Sequence, residues 1–238
     1  MVSNLPQRII TVMNQTHDVG KTTITANLGV ILTEMGYRVL MLDLDPQADL
    51  SRQFNVPEYQ PGMDRLLTDE AVTSSLVLSL SQHLSLVAAG PKLGHFDQQE
   101  PNVKHGFRLK QLLTSTLSSD TDIILIDCAA ISGLLGTNAV LAATDMLIPI
   151  SAEHEALRGM IKMLPVLQRI SRLRTDPMRL WLCLNRLPDG TDFAYQFSTL
   201  LTQYFPKRVL RTVIYENNSA DHSDYQALAN DLLQGRAS

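Results

Sequence analysis

Thr16-His17-Asp18-Val19-Gly20-Lys21-Thr22-Thr23 follows an apolar run at residues 8–14 (RIITVMN) and opens a helical pattern over residues 22–35. Strand, tight loop and helix N-terminus, in that order, is the setting in which Gly-Lys-Thr binds phosphate. The loop N–H groups and the positive end of the helix face one spot, which suits a polyphosphate. Asp18, Val19, Gly20, Lys21, Thr22 and Thr23 then form the cradle. Lys21 neutralises the β- and γ-phosphates, and the Thr22 hydroxyl ligates Mg²⁺. The simple pattern G-x-x-x-x-G-K-[ST] is not met, because its first glycine would fall at Gln15.

Outward from this loop the chain alternates apolar strands with helical stretches. Gly36 is a natural stop for the first helix. A strand at 39–42 ends in Asp43-Leu44-Asp45-Pro46-Gln47. Further strands are expected at 84–88, 122–127 (DIILID), 146–150, 178–185 and 209–214, and helices at 103–117, 133–143, 153–174, 193–204 and 219–233. Residues 54–83 hold Pro57, Pro61 and Gly62 and a short helix or two, residues 92–102 read as loop, and Pro165 should kink or divide its helix. Continuous apolar strands alternating with helices indicate a parallel sheet covered on both faces. The fold class is therefore α/β: a single P-loop domain over residues 1–238, with a mostly parallel twisted sheet flanked by helices. The strand at residue 8 comes so early that no helix-turn-helix domain is expected ahead of it. Of the 238 residues 45% are apolar, enough for such a core, and the net charge of −4 makes no global case for nucleic acid. Cys128 and Cys183 each close an apolar run and read as buried thiols. With no signal sequence and no run of the ~18–20 apolar residues that span a bilayer, a cytoplasmic protein is expected.

Two further acidic positions fall where the loop's partners belong. Asp43 and Asp45, spaced by two on a strand, point to one face; the alternative is a turn whose aspartates cap the next helix. Ile123-Ile124-Leu125-Ile126 anchor a strand that presents Asp127 near Mg²⁺. Residues 39–51 (VLMLDLDPQADLS) resemble the D-x-D-P-Q stretch of the ParA/MinD family. Residues 16–22 resemble that family's deviant Walker A motif, K-G-G-x-G-K-[ST]. Thr16 stands in place of the signature lysine, and His17 and Asp18 in place of two glycines. His and Asp enter the left-handed region more readily than most residues, so the loop shape can survive. The resemblance covers residues 8–150 and, more loosely, the rest.

It implies ATP and Mg²⁺ as ligands and slow, partner-stimulated ATP hydrolysis. Lys21 and Asp45 would be catalytic, Asp45 positioning the attacking water. Asp43 and Asp127 would support the metal with Thr22, and Asn185 would bond adenine, a turn asparagine being its alternative. The resemblance also implies a homodimer in the ATP state, an adaptor protein that stimulates hydrolysis, and a nucleoid-associated role in placing a plasmid or a protein cargo. The missing lysine resembles the McdA-like, carboxysome-positioning branch. In the family that lysine reaches the partner's phosphates, and Arg158 is the candidate to replace it across a dimer. A degenerate nucleotide-binding interaction module without turnover is the rival reading, favoured by His17 and Asp18.

Basic residues are unevenly spread: residues 158–211 hold ten of the twenty Lys and Arg and three acids. Arg158, Lys162, Arg169 and Arg172 share one helical stripe. Arg174, Arg179, Lys207, Arg208 and Arg211 could extend it. Such a patch fits nonspecific DNA backbone, as in ParA-like proteins, or is a solvated face. No membrane partner is expected, because the last twelve residues (ALANDLLQGRAS) carry only Arg236 as cation.

Overall fold

The computed structural model describes residues 6–68, 74–100, 103–115, 117, 120–151, 153–188, 192–216 and 222–237. Strands β1 (Arg8–Met13), β2 (Val39–Leu44), β3 (Leu78–Ser79), β4 (Leu84–Val87), β5 (Ile123–Cys128), β6 (Asp145–Ile150), β7 (Arg179–Leu187) and β8 (Val209–Tyr215) form one sheet. Its order is β3-β4-β2-β5-β1-β6-β7-β8. Every neighbouring pair is parallel except β3 with β4. The chain leaves β1 towards β2, returns through β5, then crosses to β6 on the other side. That reversal creates a switch point, and a crevice, at the carboxyl end of β1.

Alternate residues of one strand feed two cores. Ile123 and Leu125 pack with Ile24, Leu28 and Ile31 of α1 (Lys21–Glu34), Leu50 of α2 (Asp49–Gln53), and Leu228 and Leu232 of α10 (His222–Gln234). Ile124 and Ile126 face the opposite layer. That layer contains α3 (Met63–Thr68), α4 (Leu93–Asp97), α5 (Val103–Gly106), α6 (Arg108–Ser115), α7 (Gly133–Ala142), α8 (His154–Ser171) and α9 (Asp192–Tyr204). A strand buried on both faces must be apolar at every position, which is why IILI is unbroken. Both cysteines are buried free thiols. Burial pushes Cys183 up to about 12 and Cys128 higher still.

Several expectations are corrected. Residues 93–97 form α4 rather than loop, because Leu93 and Phe96, three apart, are both buried. The helix expected at 103–117 is two helices. Between them Asn138 of α7 inserts its amide, Oδ1 accepting from Leu109 N–H at 2.9 Å and Nδ2 donating to the His105 carbonyl at 2.8 Å. Pro165 does not divide α8, whose Met160, Met163, Leu167 and Ile170 stay buried on the sheet across it. β3 is too short to show a pattern, and the expected start of the last helix, at 219–221, lies outside the described residues. No helix among the described residues is long and apolar enough to cross a membrane.

Candidate nucleotide site

Of the two residues standing in place of glycines, Asp18 turns left-handed at φ 57° and His17 does not; Gly20 is left-handed at φ 84°. Asn14, buried under it, accepts the Thr16 N–H at 3.0 Å and donates to the Pro149 carbonyl at 2.6 Å. Lys21 is 8% exposed and its Nζ donates to the Thr16 carbonyl at 2.8 Å. Burial lowers its pKa, against the opposing pull of Asp127 and Asp45. The Thr16 hydroxyl donates to the Glu155 carbonyl of α8 at 3.3 Å, and Gly159 leaves room for it: a Cβ there would sit 2.2 Å from Thr16 Oγ1. The residue in the lysine's place thus packs the loop against α8.

Thr22 Oγ1 donates to Asp127 Oδ2 at 2.7 Å. Burial pushes Asp127 up to about 7, the Thr22 bond working against it and Asp43 and Asp45 adding to it. Asp45 is 8% exposed and lines the cleft, its Oδ1 accepting the Gln47 N–H at 2.8 Å. Asp43 is fully buried beside Asp127, its register partner across β2 and β5, and is not among the cleft's lining residues. Its Oδ2 accepts the Ser51 N–H and hydroxyl at 2.8 and 2.6 Å, and its Oδ1 accepts the Asp45 N–H at 3.2 Å. Burial raises it to about 6 against those bonds. These bonds tie it to the turn that carries Asp45, and Ser51, which sequence reading missed, is its partner.

These residues bound a cleft of about 670 Å³, lined among others by His17, Lys21, Thr22, Asp45, Arg186 and Tyr225. Asn185 also lines it, 3% exposed, with Nδ2 donating to the Val19 carbonyl at 2.8 Å. Gly20 is forced to be glycine twice over, by φ and because a Cβ would lie 2.3 Å from Asn185 Nδ2. Arg186, Tyr215, Glu216 and Tyr225 were not foreseen. The one sequence signal was the Arg directly after Asn185 at a strand end.

Arg158 is exposed on α8 and is not among the cleft's lining residues. Lys162, Arg169, Arg172, Lys207, Arg208 and Arg211 are exposed, and among the described residues none has an acidic partner. Two members of the expected patch drop out. Arg174 donates to the Val140, Leu141 (3.0 Å) and Ala143 (2.6 Å) carbonyls, closing the end of α7. Arg179 pairs with buried Asp145 at 2.8 Å.

The donor set fits Mg²⁺ with a nucleotide polyphosphate. Thr22 and Asp127 offer hard oxygens of the kind Mg²⁺ takes, and a cation beside the buried Asp127 would favour its ionised form. The first turn of α1 has no side-chain cap, so its N–H groups are open to an anion.

The AAA domain family model (AAA_31) matches residues 7–179. The sporulation initiation inhibitor protein Soj of Bacillus subtilis is 31% identical over 215 residues, covering 88% of this chain and 85% of Soj. Among solved structures, the cobyrinic acid a,c-diamide synthase of Mycobacterium smegmatis with bound ADP and magnesium superposes at a TM-score of 0.86. It is 25% identical, covering 96% of this chain and 95% of that one. An ATP complex of a McdA variant from Cyanothece gives 0.83 at 19% identity, covering 98% of each, a likeness of fold alone. With its P-loop, its Asp45 and Asp127 edge and these relatives, the chain belongs to the ParA/MinD family of P-loop ATPases.

Proposed function

We propose that this protein is a ParA-like ATPase that binds Mg·ATP in the cleft and dimerises in that state. It holds nonspecific DNA at the nucleoid and positions a cargo, a plasmid or a protein organelle such as the carboxysome, through an adaptor that stimulates slow hydrolysis. The observation that carries this reading is the convergence of Lys21, Thr22, Asp45 and Asp127 on one edge of the sheet. Lys21, now bonded to the Thr16 carbonyl, would exchange it for phosphate oxygens. Thr22 and Asp127 would hold Mg²⁺, which when bound neutralises charge on the phosphates. Asp45, fixed by Gln47 and Asp43, would orient the attacking water and accept its proton. Asn185 would contact the base. Lys162, Arg169, Arg172, Lys207, Arg208 and Arg211 would meet DNA phosphates. Arg158, exposed on α8, is our candidate for the partner's phosphates.

Calorimetry and turnover test the site. Lys21→Ala should abolish ATP binding, and Asp45→Ala should bind ATP without hydrolysing it. Unchanged affinity in the Lys21 variant would remove the P-loop reading. Neutralising Arg169 and Arg172 should flatten the salt dependence of DNA affinity by about one unit per lost contact. The second reading, binding without turnover, is favoured by Asp18, an added acid at the mouth of the cleft. Absence of ATP turnover both with and without DNA, alongside normal binding, would establish it.

A further inference from the structure

β7 carries a bulge where it passes the P-loop. The parallel pairing of β7 with β8 shifts twice: from Leu182–Val209 to Leu184–Val213 two steps along β7 match four along β8, and from there to Leu187–Tyr215 three steps along β7 match two. The extra residue falls at Asn185-Arg186, and Arg186 takes it up at φ 55°. A left-handed conformation is unfavourable for a residue with a Cβ, and such strain gathers at functional sites. Bulges beside active sites re-aim side chains. On a regular strand consecutive side chains point to opposite faces; here two consecutive side chains reach the same loop. Asn185 Nδ2 donates to the Val19 carbonyl at 2.8 Å, and Arg186 Nη1 donates to the Asp18 carbonyl at 2.7 Å. Glu216 steadies the guanidinium, its Oε1 accepting from Nε at 3.3 Å and Nη2 at 2.8 Å, while its own N–H donates to the Leu187 carbonyl at 2.8 Å.

A loop that aims its N–H groups at an anion turns carbonyls the other way, and those carbonyls need donors. We propose that Arg186 is a positioning residue for the nucleotide: with Asn185 it braces two successive P-loop carbonyls, keeping a loop that carries His17 and Asp18 in phosphate-binding shape. Among the described residues lining the cleft, its guanidinium and the Lys21 ammonium are the Lys and Arg cations, and Asp18, after Glu216 and Glu153, is one of the charges acting on it. As a surface ion pair with Glu216 alone it would contribute little, and nothing in such a pair would call for the bulge or the left-handed backbone. The proposal rests on the nucleotide reading above and names a residue that reading does not use.

The test exploits the backbone. Arg186→Gly keeps a positive φ without steric cost, so it removes the guanidinium while sparing the fold. Titrating a fluorescent ADP analogue with Mg²⁺ should show affinity about tenfold weaker, the loss of one charge-assisted bond. The melting temperature of the nucleotide-free protein should hold or rise. Arg186→Lys, able to reach only one acceptor well, should fall between. Arg186→Gly binding as tightly as the unaltered protein would overturn the brace, as would an affinity loss matched by a drop in nucleotide-free melting temperature. Failure of the unaltered protein to bind nucleotide is a separate result, which would remove the nucleotide reading itself.

Discussion

Binding of Mg·ADP should expel a proton from Asp127, and the pH at which it does so follows from the burial of that side chain. Asp127 is pushed up to about 7, chiefly by burial; the Thr22 bond opposes the shift, while Asp43 and Asp45 reinforce it. A divalent cation favours the ionised carboxylate, so the proton leaves wherever the unliganded protein still holds one. With a pKa of about 7, about three quarters of the Asp127 carboxyls are protonated near pH 6.5 and only a few per cent near pH 8.5. Release should therefore approach about three quarters of a proton at the lower pH and nearly vanish at the higher, and affinity should rise about fourfold from the lower pH to the higher. Calorimetry in buffers of different ionisation enthalpy reads the release directly, since the observed heat shifts in proportion to protons taken up by buffer. Asp127→Asn keeps an oxygen for the Thr22 hydroxyl and removes the titrating group. The nucleotide's own protonation is common to both proteins, so their difference isolates Asp127. Equal buffer dependence in the two, near pH 6.5, would refute the assignment of a raised, metal-facing carboxyl.

Three substitutions elsewhere test the packing that holds the site. Gly20→Ala adds a Cβ 2.3 Å from Asn185 Nδ2 at φ 84°; left-handed strain and the displaced Asn185 bond together should cost about 2–3 kcal/mol in denaturant unfolding, with loss of nucleotide binding. Arg174→Ala strips donors from the Val140, Leu141 and Ala143 carbonyls and should cost about 1–3 kcal/mol of stability while leaving DNA affinity unchanged. Asp145→Ala leaves the partly buried Arg8, bonded to it at 2.6 Å, without its counter-charge and frees Trp181 Nε1, bonded at 2.9 Å. Denaturation should show a loss of about 3–5 kcal/mol.

What sequence reading reaches, and what it misses, divides along the locality of each cause. The P-loop, Asp45 and Asp127 are each the end of an apolar strand, and strand pattern plus end residue is a local signal, so the sheet and the edge where these residues meet are legible. Asp43 and Asp45 look alike at spacing two, yet Asp43 is taken by Ser51, eight residues on, because the chain turns through a left-handed Ala48. Arg172 and Arg174 have the same chemistry two positions apart. One stands exposed after α8; the other reaches carbonyls of α7, more than thirty residues away in sequence. No helical spacing separates them, because the difference is made by where two helices end relative to each other.

The altered loop shows the same limit most sharply. In sequence, Thr16, His17 and Asp18 are subtractions: a lysine and two glycines lost. In the fold two of these residues make contributions of their own. Thr16 packs on Gly159 and bonds the Glu155 carbonyl, tying the loop to α8. Asp18 bears the positive φ itself. What glycine would supply through conformational freedom, Asn185 and Arg186 supply as donors to fixed carbonyls. A brace of that kind depends on the register of β7 against β8, which brings together residues about 165 apart in sequence, and no motif scan of the loop could contain it. The loop's competence for phosphate is therefore a property of the β7 bulge as much as of the P-loop, and restoring glycines at His17 and Asp18 should make Arg186 less important rather than leave it indispensable.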